Sequence, residues 1–155
     1  SGGYQRGCEM EESIKIPSLM KEALQLEPID VCSYSPLALA YMGDAVYEVL
    51  IRTRVMNRGS MQVNKMHKKS ASLVKAEAQA RMIQALQEEL TEEETAVYKR
   101  GRNAHSASSA KNASIRDYRM ATGFEALVGY LYLTGQYERL LKLVHDGLER
   151  IGEFS

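Results

Sequence analysis

An all-α fold is what this sequence predicts, and three observations predict it. Apolar residues recur with helical spacing over long stretches, no useful run alternates apolar with polar residues, and no β-hairpin turn signal occurs. Hydrophobic content of 45% and charged content of 26% in 155 residues suit one globular domain with a proper core and argue against wholesale disorder. No apolar run reaches the roughly 18 residues that span a bilayer, and no signal peptide is seen, so no membrane partner is expected. Residues 1–13 read as a disordered or expression-derived tail and residues 14–152 as a single helical-bundle domain, with Phe154-Ser155 set aside like the tail. Cys8 and Cys32 lack metal-ligand spacing and read as free thiols, which makes the cytoplasm the expected location.

The elements follow in order. Pro17 to Leu24 suits a short entry helix. Pro36 is well placed in the first turn of the next, where its missing N–H costs nothing. That helix should run to Asn57 and stop at Arg58-Gly59-Ser60. The apolar rhythm of Met61, Met66, Leu73, Val74, Ala78, Met82, Ile83 and Leu86 predicts one continuous helix from Ser60 to about Leu86. Thr91-Glu92-Glu93-Glu94 is a capping box that opens a helix reaching about Asn103. Residues 104–114 are small and polar and predict a loop. Ser114 or Asp117 then caps a strongly apolar helix that ends near Thr134-Gly135. A last helix from Gln136 to about Ile151 places Leu140, Leu141, Val144 and Leu148 on one face.

Two of these helices carry an awkward acid. Asp44 interrupts the apolar run from Leu37 to Leu50, and Glu125 interrupts the run from Met120 to Leu133. An ionised carboxylate among apolar side chains is costly unless it is paired or holds a metal. If the two helices pack together, the two acids converge, which is how helical proteins build carboxylate sites for hard cations. The alternative is that each acid pairs with a buried arginine or caps a neighbouring helix. Tyr41, Tyr47, Tyr130 and Tyr132, close by, are expected to pack rather than react.

The charge balance is 20 basic against 20 acidic residues, so nothing global points to nucleic acid. The distribution does. Seven lysines and arginines and no acid lie between Arg52 and Lys75; six against Asp117 alone lie between Lys99 and Arg119. Segregated basic stretches suit a surface for a polyanion, although solvated helix faces read the same way.

At the acids the sequence resembles a known family. Leu39-Ala40-Tyr41-Met42-Gly43-Asp44-Ala45-Val46 resembles the ribonuclease III signature helix, usually Glu-Arg-Leu-Glu-Phe-Leu-Gly-Asp-Ala-Val. Glu125-Ala126-Leu127-Val128-Gly129 resembles the family's second acidic motif, Asp-x-x-Glu-Ala-Leu-Ile-Gly. The resemblance extends over Ser33 to Ile151. It departs at Leu37, Ala40 and Thr122, where the family usually has acids, so one acid per motif is kept. That reduced pattern, with Lys99-Arg100-Gly101-Arg102-Asn103, resembles the Mini-III branch, which consists of the catalytic domain alone.

The resemblance implies a ribonuclease III-like endonuclease domain that hydrolyses double-stranded RNA as a homodimer. It implies Asp44 and Glu125 as catalytic ligands of Mg²⁺, with Mn²⁺ able to substitute. Magnesium commonly needs only one or two carboxylates beside waters and substrate oxygens. With no separate RNA-binding domain, grip on the duplex falls to Lys99, Arg100, Arg102, Asn103, His105 and Lys111. Maturation of the large-subunit ribosomal RNA precursor is implied as the role. A catalytically reduced RNA-binding accessory protein of the same fold, or a helical interaction module with structural salt bridges, are the competing readings.

Overall fold

The computed structural model describes residues 19–59, 62–104 and 113–153. Two compact units divide the chain, Ser1–Ser33 and Tyr34–Ser155. In the first, residues 19–23 are helical, and Gln25 turns the chain with φ 52°. A one-turn 3-10 helix, Val31–Ser33, follows, where Asp30 accepts the Cys32 N–H at 3.0 Å and the Ser33 hydroxyl at 2.6 Å. Cys32 is an exposed free thiol.

The second unit consists of helices α1 (Pro36–Asn57), α2 (Val63–Val74), α3 (Ala76–Leu86), α4 (Glu92–Arg102), α5 (Ala113–Leu133) and α6 (Tyr137–Arg150), with a 3-10 turn at Gln87–Glu89. No strand occurs among the described residues, and none of their helices is long and apolar enough to cross a membrane. Ser35 caps α1 through the Ala38 N–H at 3.1 Å. Leu39, Gly43, Tyr47, Ile51 and Val55 give α1 one buried stripe at helical spacing. Central to the unit is α5, buried on nearly every side from Met120 to Leu131, with α1, α4 and α3 packed around it. Helix α6 lies on α3, burying Leu140, Leu143, Val144 and Leu148. Leu141 is exposed instead, because Leu143 falls nearer the centre of that face.

The expected capping box is present, with Thr91 accepting the Glu94 N–H and Glu94 accepting the Thr91 N–H. Glu94 is buried and gripped by Arg139 of α6 at 2.8 and 2.9 Å, which holds its carboxyl below the ordinary range.

Three further expectations need correction. The helix foreseen from Ser60 to Leu86 is two helices, broken at Lys75 (φ −65°, ψ 155°). No glycine or proline causes the break. The last α2 carbonyls are satisfied from elsewhere in the fold: Tyr47 donates its hydroxyl to the Leu73 carbonyl at 2.8 Å, and Gln79 donates its side-chain N–H to the Val74 carbonyl at 2.8 Å. Helix α5 starts at Ala113, so Ser114 and Asp117 lie inside it rather than capping it. Tyr41 does not pack; it is 80% exposed, whereas Tyr47 and Tyr130 are buried as foreseen.

Candidate active site

The two acids meet because α1 and α5 cross almost backbone to backbone. Gly43 and Gly129 make that possible. A Cβ on Gly43 would collide with the Glu125 carbonyl and lie 2.8 Å from the Gly129 nitrogen. One on Gly129 would collide with the Leu39 carbonyl and lie 3.0 Å from the Gly43 nitrogen. Asp44 directly follows the first glycine, and Glu125 lies one turn before the second. Tyr47 and Phe124 lock the same crossing edge to face, with ring centroids 5.5 Å apart.

The environment of the acids reverses the sequence expectation in one respect. Asp44 is exposed, on the border between the buried stripe of α1 and its outer face, while Glu125 is half-buried. The Glu125 carboxyl is pushed up to about 8 by burial first, then by its hydrogen bond with Asp44 and that residue's negative charge; the Gln79 N–H at 3.3 Å partly offsets these. Neither acid pairs with a lysine, arginine or histidine among the described residues. The alternative of structural salt bridges therefore finds no partner there. Two carboxylates pressed together without a counter-charge suit a hard, oxygen-loving cation. They stand as a pair, since no group of three or more His, Cys, Asp or Glu that could hold a metal occurs among the described residues. The departures agree with that count. Leu37 and Ala40 offer no oxygen, and the buried Thr122 gives its hydroxyl to the Tyr118 carbonyl at 3.0 Å.

Without a metal, folding makes Glu125 hold a proton that the unfolded chain releases near 4.5. The folded state then binds more protons than the unfolded state from there to about 8, so stability falls as pH rises through that window. Thermal midpoints of chelator-treated protein are expected to decline between pH 5 and 8 relative to Glu125→Gln, in which this contribution to the slope disappears. Equal slopes in the two proteins would contradict the Glu125 environment.

The basic residues sort differently from expectation. Lys99 and Arg100 are exposed on the last turn of α4. Arg102 lies over the Tyr98 ring at 5.7 Å and donates to Asn103 Oδ1 at 3.3 Å. Arg102 and Asn103 join Arg116 and Arg119 of α5, with Tyr98 and Gln87, around an open cleft of about 510 Å³. His105 and Lys111 lie outside the described residues. Arg116 and Arg119 were legible only as part of a basic stretch; their spacing across one α5 turn was the available signal. None of the three cleft arginines pairs with a carboxylate among the described residues. The stretch from Arg52 to Lys75 is more occupied: Lys69 pairs with Glu153 at 2.6 Å, Arg54 donates to the Glu153 carbonyl at 3.0 Å, and Arg52 faces Glu48 at 3.6 Å.

Comparison with known proteins agrees with this architecture. Residues 37–136 match the ribonuclease III domain. The mini-ribonuclease 3 of Clostridium tetani is 54% identical over 116 residues, spanning 74% of this chain and 77% of that protein. That of Enterococcus faecalis is 50% identical over 119 residues, spanning 76% and 90%. A crystal structure of a Fusobacterium nucleatum protein superposes with a TM-score of 0.70 at 27% identity, over 79% of this chain and 98% of the other. With a domain match over most of its length and relatives at about half identity, the chain belongs to the ribonuclease III family.

Proposed function

We propose that this endoribonuclease cuts double-stranded RNA with a divalent cation, Mg²⁺ or in its place Mn²⁺, held by Asp44 and Glu125. One observation carries the reading: two carboxyls meet across a glycine-to-glycine helix crossing with no cationic side chain among the described residues to neutralise them. A divalent cation bound there lowers the pKa of a water and stabilises charge developing on the scissile phosphate. The chain's own part is to hold the two acids in fixed relation. Asp44, exposed, faces the approaching duplex, and Glu125, half-buried, supplies the rigid side of the site. No serine, cysteine or histidine nucleophile is needed.

Arg102, Asn103, Arg116 and Arg119 grip the phosphate backbone, with Lys99 and Arg100 adding charge at the rim. Recognition of an A-form duplex by such contacts is shape-based and salt-dependent. Arg116→Ala and Arg119→Ala should each weaken duplex binding and reduce the slope of log K against log salt by about one. Unchanged slopes in both would remove the cleft from the interface.

The outer face of α1 supports a two-fold dimer. Leu37, Tyr41, Val49 and Met56 are exposed on one side of the helix, and Asp44 lies at its edge. A two-fold axis there sets one site against each of two antiparallel strands. The finer role, maturation of a large-subunit ribosomal RNA precursor in the cytoplasm, is supported by the Mini-III resemblance and, for the compartment, by the free thiol of Cys32.

Incubation with labelled duplex RNA, with Mg²⁺ and with chelator, tests the whole. Cleavage only with the cation is expected, leaving 5′-phosphate ends. Duplex binding without cleavage under any divalent ion would favour the accessory-protein reading.

A further inference from the structure

Gln79 is 2% exposed in the first turn of α3. Its Nε2 donates to the Val74 carbonyl at 2.8 Å and to Glu125 Oε2 at 3.3 Å. Its Oε1 is buried without a hydrogen-bond partner among the described residues. The Val74 carbonyl only accepts, so the amide cannot present its oxygen there without setting two acceptors face to face. A buried acceptor left unpaired is destabilising. Methionine would fill the same space without that penalty. What methionine lacks is the N–H that reaches the Val74 carbonyl and Glu125.

We propose that Gln79 is a positioning residue for cation capture: its amide, anchored on the Val74 carbonyl, holds Glu125 Oε2 so that the carboxylate meets the cation in one orientation. Gln79 does not touch the cation. The inference rests on the reading of Glu125 as a cation ligand.

The anchor is well founded. Val74 ends α2 at the extended Lys75, where helix carbonyls lack partners of their own. Tyr47, one turn beyond Asp44, holds the neighbouring Leu73 carbonyl at 2.8 Å and contacts Met82 Sδ at 3.1 Å. The break between α2 and α3 is thus tied to the Asp44 helix through Tyr47 and to Glu125 through Gln79. One short piece of backbone has hydrogen-bonded links to both helices that carry the acids. Hydrogen bonds behind a metal-binding carboxylate fix its orientation. Here Leu37, Ala40 and Thr122 leave only two acids.

Mn²⁺ titration of the RNA-free protein, read by the electron paramagnetic resonance of the unbound ion, tests this with wild type, Gln79→Met and Glu125→Gln. Gln79→Met is expected to raise the Mn²⁺ dissociation constant about tenfold or more. Its thermal midpoint should fall modestly, for the lost Val74 hydrogen bond, while its binding of duplex RNA in chelator should stay close to wild type and its kcat should recover at saturating Mn²⁺. Loss of Mn²⁺ by Glu125→Gln with wild-type binding by Gln79→Met would overturn the role of Gln79 alone. Equal binding by wild type and Glu125→Gln would overturn the reading of Glu125 and this proposal with it. The wild-type protein gives a second readout that needs no variant. Its Gln79 side-chain NH₂ resonances should shift when Mg²⁺ is added while those of the exposed Gln84 and Gln136 do not, and a Gln79 signal indifferent to Mg²⁺ would overturn the proposal.

Discussion

Replacing Glu125 by Gln, or Asp44 by Asn, is expected to slow cleavage of double-stranded RNA by about three orders of magnitude. A cation acting as Lewis acid supplies several kcal/mol of transition-state stabilisation, and each 1.36 kcal/mol is a factor of ten. Losing about 4 kcal/mol of it gives roughly a thousandfold. Both substitutions keep shape and volume, so the crossing of α1 and α5 survives them. Glu125→Gln even relieves a half-buried carboxyl of the neighbouring Asp44 charge. Single-turnover cleavage of a labelled duplex at saturating enzyme measures the effect. A variant that cleaves within tenfold of wild type would remove that residue from the site.

The second large effect is expected from Gly43→Ala or Gly129→Ala. Helix propensity alone favours alanine over glycine by about 1 kcal/mol, which would stabilise the protein. Sterics decide otherwise. The new methyl meets the backbone of the facing helix, the carbonyl of Glu125 in one case and of Leu39 in the other, and backbone cannot rotate aside as a side chain does. Overpacking of this kind costs about 3 kcal/mol, and for a chain of this size that lowers the thermal midpoint by roughly 6–12 °C. If the helices instead part by about 1 Å, Asp44 and Glu125 part with them, and activity falls about a hundredfold. Thermal melts and cleavage rates on the same samples read both consequences. An alanine variant as stable and active as wild type would contradict the close crossing.

Much of the architecture was legible because its determinants are local. Ser35-Pro36 opens α1 and Thr91 to Glu94 opens α4 through contacts within four residues, and the structure starts both helices there. The acids were legible because a carboxylate in an apolar helix calls for an explanation, and the helices that carry them do pack together. The remainder depended on contacts distant in sequence. The break at Lys75 has no breaker residue; the donors to its helix-end carbonyls come from Tyr47, 26 residues before Leu73, and from Gln79. Gln79 reaches Glu125 across 46 residues and carries no motif. Asp44 and Tyr41 are exposed where the apolar neighbours along α1 suggest burial, because they lie off the helix's buried stripe of Leu39, Gly43, Tyr47, Ile51 and Val55. Arg116 and Arg119 join Arg102 only because α4 and α5 lie side by side.

Whether Asp44 and Glu125 jointly hold the cation is tested most directly by a crystal of the wild-type protein soaked in Mn²⁺ and measured for anomalous scattering. A single strong peak within coordination distance of a carboxylate oxygen from each residue is the predicted result. Peaks only at sites that touch neither carboxylate would contradict it.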